Sequence, residues 1–286
     1  MAFRIIDTPS ENNVAKRVLI SGPPNTLKTT SLLTWPRPLH IIFYPGEKGH
    51  ETVTDGMEGV KKYVWEFEDP SKTSPASVVR EIERLTSDIV IGKHGEVATL
   101  AGDGLHKLYG WYYAKCFADL LASAETRKGW DGDDDKLRGR AYGQAHDEFS
   151  LYLTKTLATK VPYMAMTVWE GRQKDNPEDL AKNAPTHIFP DLPGQMANRI
   201  VGEFSVVLYS EVSPIADLKG QLKGQWQIRP GGKVWGVGVK VSPEIAQSLP
   251  AKLPQDFPTL ERLLRTGKRE TSTQATPATA PSSPNK

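Results

Sequence analysis

One segment of the sequence combines the residue types that bind phosphate. It reads Gly22-Pro23-Pro24-Asn25-Thr26-Leu27-Lys28-Thr29-Thr30 and lies between an apolar run, 18–20, and a stretch at helical spacing, 28–35. Backbone N–H groups of such a turn can surround phosphates, and the following helix directs its positive end at them. Lys28 would reach the β- and γ-phosphates of ATP, and the Thr29 hydroxyl would complete the ligand shell of Mg²⁺. We therefore expect residues 22–30 to bind the nucleotide.

The spacing of this segment matches G-x-x-x-x-G-K-[ST] except at one position. Leu27 stands where the second glycine is expected. Glycine allows the backbone unusual conformations and a close approach to phosphate, whereas leucine adds a Cβ and a bulky side chain. The alternative interpretation is an ordinary strand-to-helix turn, but the flanking elements favour a nucleotide loop.

Two acidic residues follow other strand-like runs. Asp103 comes after the run 97–101, where it could position Mg²⁺; the alternative is a helix cap. Glu47 follows the run 39–44 and could orient the attacking water, although a surface turn could also carry a glutamate for solubility. The sequence thus offers Glu47 and Lys28 as catalytic residues, and Thr29 and Asp103 as metal ligands.

The remaining elements predict an α/β fold. Helical spacing covers 28–35, 77–89, 109–121 and 140–158, and strand-like runs cover 18–20, 39–44, 64–67, 97–101, 161–168 and 204–209. This alternation indicates a mostly parallel central sheet with helices on both faces. The runs 225–229 and 234–241 flank Pro230-Gly231-Gly232 and predict a hairpin in an antiparallel C-terminal extension. Residues 170–193 form a long polar segment, which we expect to be a loop or something built on one.

Composition excludes several classes of protein. The 286 residues carry 36 basic and 34 acidic side chains, so the net charge of +2 creates no overall attraction to nucleic acid or to an anionic membrane. Cys116 is the only cysteine, which excludes an internal disulfide. Neither a signal peptide nor an apolar stretch of membrane-spanning length is visible, and we expect a soluble, cytoplasmic protein without a membrane partner.

Several segments resemble a known family. The phosphate-loop segment, "AYGQAHDEF", "PDLPGQMANRI" and "GGKVWGVGVK" are similar to bacteriophage-encoded AAA-type P-loop proteins, a reduced RecA-like group associated with recombination and single-strand annealing. The resemblance spans roughly residues 16–265. It implies a RecA-like P-loop NTPase core and an ATPase that acts on single-stranded DNA in phage recombination or replication. The expected location is then the host cytoplasm.

The resemblance also implies roles for residues outside the phosphate loop. RecA-like assemblies bind nucleotide between subunits, so we expect a homo-oligomer in which Lys240 or Lys233 of a neighbouring subunit touches the γ-phosphate. A solvated lysine is the alternative for each. The loop after 161–168 would contact single-stranded DNA through basic residues, with Trp169 stacking on bases. Those basic residues are Arg172, Lys174, Lys182 and His187, and a plain surface loop is the competing interpretation.

The sequence therefore predicts one RecA-like nucleotide-binding domain over 1–265 and a disordered tail rich in Ser, Thr and Pro over 266–286. ATP and Mg²⁺ are the expected cofactors, and single-stranded DNA and a single-strand-binding protein are the expected partners. Two other functions remain open. One is a nucleotide-gated binding module without hydrolysis, and the other is a helicase-loader or motor subunit.

Overall fold

The central sheet is the element that positions the predicted site. The computed structural model describes residues 17–67, 73–125, 134–172, 188–193, 195–213, 223–230, 234 and 236–267. Their strands are β1 (Arg17–Gly22), β2 (Leu39–Phe43), β3 (Val60–Tyr63), β4 (Thr99–Asp103), β5 (Tyr163–Arg172), β6 (Ile188–Pro190), β7 (Val206–Val212), β8 (Gly224–Gln227), β9 (Gly238–Val239) and β10 (Lys252–Pro254). Their helices are α1 (Lys28–Leu32), α2 (Pro75–Val90), α3 (Leu105–Glu125), α4 (Asp134–Leu157), α5 (Gln195–Glu203), α6 (Pro243–Ser248) and α7 (Phe257–Thr266), with a 3-10 turn at Gly49–Thr52.

Most of this sheet is parallel. Strands β7, β1, β5, β4, β2 and β3 lie side by side in that order, and every pair among these neighbours is parallel. The C-terminal part is antiparallel, because β8 and β9 pair with β7 and β10 pairs with β8. The predicted fold class, a mostly parallel sheet with an antiparallel C-terminal extension, is confirmed.

Helices cover both faces of the sheet, as the sequence predicts. Successive residues of a strand point to opposite faces, so β1 contributes to two separate cores. Leu19 packs on the side covered by α2, α3, α4 and α5. Val18 and Ile20 pack on the other side, with Leu32 of α1 and the apolar face of α7. A strand buried on both faces reads as a continuous apolar run, which explains why β1 is recognisable from sequence.

Several predicted element boundaries are wrong. Helices α3 and α4 begin at Leu105 and Asp134, before the predicted starts at 109 and 140. The third strand is β3 at Val60–Tyr63 and not 64–67; its sequence, VKKY, is that of a half-exposed edge strand, which carries charge and lacks an apolar run. The first helix ends at Leu32, before the predicted end at 35, and Trp35 instead packs its ring on Phe257 of α7.

The predicted hairpin is also wrong. Strands β8 and β9 do not pair with each other in the described part of the chain; β8 pairs with the second half of β7, and β9 pairs with its start. Both strands therefore pair with β7, and β8 pairs with β10 on its other side. Residues 231–233 and 235 lie outside the described residues, and Lys233 is among them.

The polar segment 170–193 is built on a strand pair. The end of β5 pairs antiparallel with β6, from Glu170 opposite Pro190 to Arg172 opposite Ile188. Residues 173–187, which include Lys174, Lys182 and His187, lie outside the described part, as does the side chain of Arg172. Helix α7 ends at Thr266, and Gly267 after it is in the left-handed conformation. The predicted disordered tail lies outside the described residues from 268 onward.

Candidate nucleotide-binding site

The carboxyl ends of the parallel strands place the predicted residues at one edge of the sheet. Gly22 at the end of β1 is level with Trp169 of β5, and Phe43 at the end of β2 is level with Asp103 of β4. Open α/β sheets bind ligands in the crevice beyond these strand ends. Glu47 follows β2 by four residues and reaches the same edge.

A cavity of about 450 Å³ lies at this edge. It is lined by Pro24, Asn25, Thr26, Leu27, Lys28, Thr29, Thr30, Glu47, Lys48, Gly49, Glu51, Thr52, Asp103 and Trp169. Seven of the nine residues predicted to hold the nucleotide are among them. The other two, Gly22 and Pro23, contribute backbone carbonyls that bind Lys28.

Leu27 adopts a left-handed backbone conformation, which glycine adopts readily and leucine rarely. Its φ of 61° and ψ of 21° lie in the left-handed region, and Asn25 in the same loop has a φ of 62°. This conformation costs an L-residue about 1–2 kcal/mol. The Leu27 side chain is 37% exposed and lines the cavity. The loop thus carries backbone strain at the position where the motif has glycine.

Lys28 is folded back into the loop. Its Nζ donates to the carbonyl oxygen of Gly22 at 2.9 Å, to that of Pro23 in a shorter contact, and to Thr26 Oγ1 at 3.4 Å. The residue is only 7% exposed. Burial lowers the pKa of Lys28 to about 8, although nearby carboxylates, Asp103 foremost, oppose this shift. An amine held by carbonyl oxygens near carboxylates is suited to exchange those partners for phosphate oxygens.

Thr29 and Asp103 are in direct contact across the cavity. Thr29 Oγ1 donates to Asp103 Oδ2 at 2.6 Å, and Thr167 Oγ1 of β5 donates to Asp103 Oδ1. Thr167 Oγ1 also accepts from the N–H of Gly104 at 3.1 Å. The Asp103 carboxylate is therefore oriented by two hydroxyls, and this arrangement argues against the alternative interpretation of a helix cap.

The oxygen set around Asp103 fits Mg²⁺. Burial raises the pKa of Asp103, against hydrogen bonds from Thr167 and Thr29 that lower it. A buried carboxylate is costly unless a cation compensates it. Hydroxyl and carboxylate oxygens are the ligand types that Mg²⁺ prefers. A Cβ on Gly49 would lie 2.6 Å from Thr29 Oγ1, so the backbone there already approaches the candidate ligands as closely as a glycine allows.

Glu47 faces the same cavity with one oxygen unpaired. Its Oε1 accepts from the N–H of Lys48 at 3.1 Å and of Gly49 at 3.3 Å, whereas its Oε2 is buried and has no hydrogen-bond partner among the described residues. Burial, and then the nearby Asp103 carboxylate, raise the pKa of Glu47. A carboxylate that lines the cavity and is not paired with a cation in the described part of the chain can accept a proton from water. This geometry argues against a glutamate kept only for solubility.

Trp169 forms the wall of the cavity. Its ring stacks on His106 at a centroid distance of 4.5 Å, and Lys107 Nζ lies 4.9 Å from the ring centroid. Burial lowers the pKa of His106 to about 4, so this imidazole is neutral at physiological pH. The ring that the sequence predicts to stack on DNA bases therefore lines the candidate nucleotide cavity and packs on His106.

Lys240 lies far from the cavity of its own chain. It follows β9, and its N–H donates to the carbonyl of Ser205, just before β7 begins. Its Nζ donates to the carbonyl of Gly202 at 2.6 Å. The phosphate loop follows the other end of the strands, at Gly22, so the structure does not bring Lys240 to the cavity of its own chain.

Sequence reasoning missed three residues that shape the site. Gly49 and Gly104 leave space: a Cβ on Gly104, whose φ is +86°, would lie 2.7 Å from Glu47 Oε2. Thr167 orients Asp103. The two glycines flank acidic residues and could have been noticed, whereas Thr167 sits within an apolar run and carries no signal of its own.

Comparison with known proteins identifies the family. A family model described as an AAA domain matches residues 15–245, most of the chain. The chain belongs to the AAA-domain family. Among solved structures, this AAA-domain protein is similar to the flagellar accessory protein FlaH from Methanocaldococcus jannaschii, with 11% identity and a TM-score of 0.34 over 79% of this chain and 82% of that one. No curated protein matches it.

Family membership confirms that the chain contains an AAA-type P-loop domain and supports nucleotide binding. In the part of the chain that the structure describes, no helix combines the length and apolar character needed to cross a membrane.

Proposed function

We propose that this AAA-domain protein binds and hydrolyses ATP with Mg²⁺ at the cavity beyond the phosphate loop. The observation that carries the proposal is the 2.6 Å contact between Thr29 Oγ1 and Asp103 Oδ2, beside buried Lys28 and facing Glu47. A lysine, a hydroxyl and two carboxylates around one crevice are the groups that phosphoryl transfer to water requires.

Each residue has a distinct role in this proposal. Lys28 exchanges the Gly22 and Pro23 carbonyls for β- and γ-phosphate oxygens, and Thr29 and Asp103 hold Mg²⁺, which neutralises charge on the phosphates. Glu47, which lines the cavity, orients the attacking water and accepts its proton through its carboxylate. Backbone N–H groups of residues 23–30 surround the phosphates at the start of α1.

The pKa of Lys28 predicts how the affinity for nucleotide depends on pH. Without nucleotide its pKa is about 8, and phosphate would raise that pKa because it stabilises the ammonium form. Binding then takes up a proton above pH 8, so affinity should be constant below that value and fall by up to about tenfold per pH unit above it. Titration with a fluorescent ATP analogue from about pH 7 to about pH 9.5 measures this.

A matched variant controls this prediction. The guanidinium of Lys28→Arg stays protonated throughout the range, so its affinity, whatever its value at neutral pH, should not depend on pH. A flat profile for the parent protein would show that the Lys28 ammonium does not bind the nucleotide.

We infer further that the protein acts on single-stranded DNA in phage recombination or replication, as a homo-oligomer that works with a single-strand-binding protein. The sequence similarity to phage recombination ATPases and the basic residues of the segment 172–187 support this proposal. Lys240 of a neighbouring subunit is the candidate γ-phosphate contact. Loss of turnover without loss of nucleotide binding in Lys240→Ala would be the signature of that role.

Steady-state phosphate release with and without a single-stranded oligonucleotide tests this function. We expect Mg²⁺-dependent turnover that the oligonucleotide increases, together with a gel shift at low salt. Turnover in neither condition would favour a nucleotide-gated module, and strand displacement would favour a helicase-loader or motor subunit. The absence of a gel shift at low salt, with and without ATP, would remove the DNA role.

A further inference from the structure

Two side chains outside the phosphate loop hold one of its carbonyl groups. Ser210 Oγ of β7 donates to the Thr26 carbonyl oxygen at 2.8 Å, and Gln255 Nε2, directly after β10, donates to the same oxygen at 3.0 Å. Ser210 is fully buried. The C-terminal antiparallel extension therefore contacts the phosphate loop at the peptide that precedes Leu27.

The Gln255 amide is surrounded by acceptors. Its Nε2 lies 3.0 Å from the Gln225 carbonyl oxygen, 3.4 Å from that of Glu211 and 2.5 Å from Ser210 Oγ, in addition to the Thr26 contact. Carbonyl oxygens cannot donate, so this environment requires the NH₂ group at this position. Ser210 in turn uses its single hydroxyl proton on the Thr26 carbonyl oxygen, so the Gln255 amide and the Ser210 hydroxyl are two donors linked to one loop acceptor.

This arrangement leaves a buried polar atom unpaired. Gln255 Oε1 is buried and has no hydrogen-bond partner among the described residues. An unsatisfied buried oxygen destabilises the folded state, and an apolar side chain of the same length would avoid that cost. The donor group of the amide, and not packing, therefore accounts for a glutamine at this position.

Holding the Thr26 carbonyl sets the direction of the next N–H group. The peptide between Thr26 and Leu27 is planar and trans, so its C=O and N–H point in opposite directions. The carbonyl points toward Ser210 and Gln255, which do not line the cavity, whereas Thr26 and Leu27 do. The Leu27 N–H is consequently directed to the cavity side, where phosphates would lie.

We propose that Ser210 and Gln255 are positioning residues that keep Leu27 in the left-handed conformation and so aim its backbone N–H at bound phosphate. The inference rests on the proposed nucleotide binding. Glycine would adopt this conformation without cost, but leucine requires an external restraint. The two side chains supply it from β7 and from the residue after β10.

A double-mutant cycle tests the inference. Gln255→Met keeps the side-chain length and removes the donor, and we expect it to weaken binding of a fluorescent ATP analogue about tenfold. In a Leu27→Gly background the same change should weaken binding by no more than about twofold, because glycine needs no restraint. Equal losses in both backgrounds would mean that Gln255 only supports the fold, and would overturn the proposal.

Gln227→Met is the matched control. Gln227 belongs to the same extension, pairs with β7 and β10, and donates to the Arg229 carbonyl at 3.1 Å. Its replacement should leave nucleotide affinity within about twofold of the parent value. A tenfold loss in this control would also contradict a specific role for Gln255.

A second readout needs no nucleotide. In a crystal structure of nucleotide-free Ser210→Ala/Gln255→Met, Leu27 should leave the positive-φ region and the Thr26 carbonyl should turn. Either single variant serves if the double variant does not fold. An unchanged loop would overturn the inference. A parent protein that binds no ATP analogue would instead remove the proposed function, and the loop conformation would still decide the role of the two side chains.

Discussion

Lys28→Ala is expected to weaken binding of a fluorescent ATP analogue by about 100-fold or more. The buried ammonium is the cation directly after the strained Leu27, and its Nζ already lies within the loop, against the Gly22 and Pro23 carbonyls. Alanine leaves the negative charge of the phosphates uncompensated in a half-enclosed cavity next to Asp103 and Glu47. Because the phosphates would then face these two carboxylates without a buried cation, we expect a larger loss of nucleotide affinity than removal of an exposed lysine would cause.

Lys48→Ala is the control for loss of charge. Lys48 lines the same cavity but is exposed, so water screens it, and we expect its removal to change affinity by no more than about threefold. Both variants should still unfold cooperatively on heating. This measurement distinguishes a loss of nucleotide binding from a loss of the folded structure. Parent-like affinity in Lys28→Ala would contradict the assignment of the phosphate loop.

Glu47→Gln is expected to lower the rate of ATP turnover by about 10²–10⁴-fold and to leave nucleotide affinity within about threefold. The amide has the same shape and can still accept from the N–H groups of Lys48 and Gly49 through its oxygen. It cannot accept a proton from water. Steady-state phosphate release and analogue binding, measured on the same preparation, separate the two effects.

Glu51→Gln supplies the matched control for this variant. Glu51 lines the same cavity and belongs to the 3-10 turn that follows Glu47, but it is exposed. We expect turnover close to the parent rate. If Glu47→Gln also turned over ATP at the parent rate, Glu47 would not be the catalytic base, and another group would have to activate the water.

The parts of the fold that sequence predicts well are those buried on both sides. Strands β1, β2 and β4 read as apolar runs because neither face meets water, and the buried residues of α2 recur at helical spacing. The ends of these apolar runs mark the carboxyl ends of the strands. The sequence therefore indicates that Gly22, Glu47 and Asp103 lie at one edge of the sheet. Lys28 and Thr29 follow from the spacing of the loop.

The features that sequence did not predict depend on tertiary contacts. The edge strand β3 has one neighbour and carries two lysines, so its pattern resembles a loop. Strands β8 and β9 are separated by a turn-like sequence, yet each pairs with β7. Thr167 and Gln255 act on residues 64 and 229 positions away, at Asp103 and Thr26, and no local pattern connects such pairs.

The Leu27 substitution illustrates the limit of motif reasoning. The sequence correctly locates the departure from the glycine pattern but gives no means of predicting how the backbone responds. In the structure Leu27 is left-handed, and Ser210 of β7 and Gln255 after β10 donate hydrogen bonds to the carbonyl of the preceding residue, Thr26. A motif position therefore has to be judged together with the groups that pack behind it.

A crystal structure with Mg²⁺ and a non-hydrolysable ATP analogue tests the central claim most directly. We predict the β-phosphate within the curve of residues 23–30, the Leu27 N–H directed at it, and Lys28 Nζ moved from the Gly22 and Pro23 carbonyls to phosphate oxygens. A Leu27 side chain that fills this curve, with Lys28 still bound to the two carbonyls and the analogue elsewhere or absent, would contradict the claim.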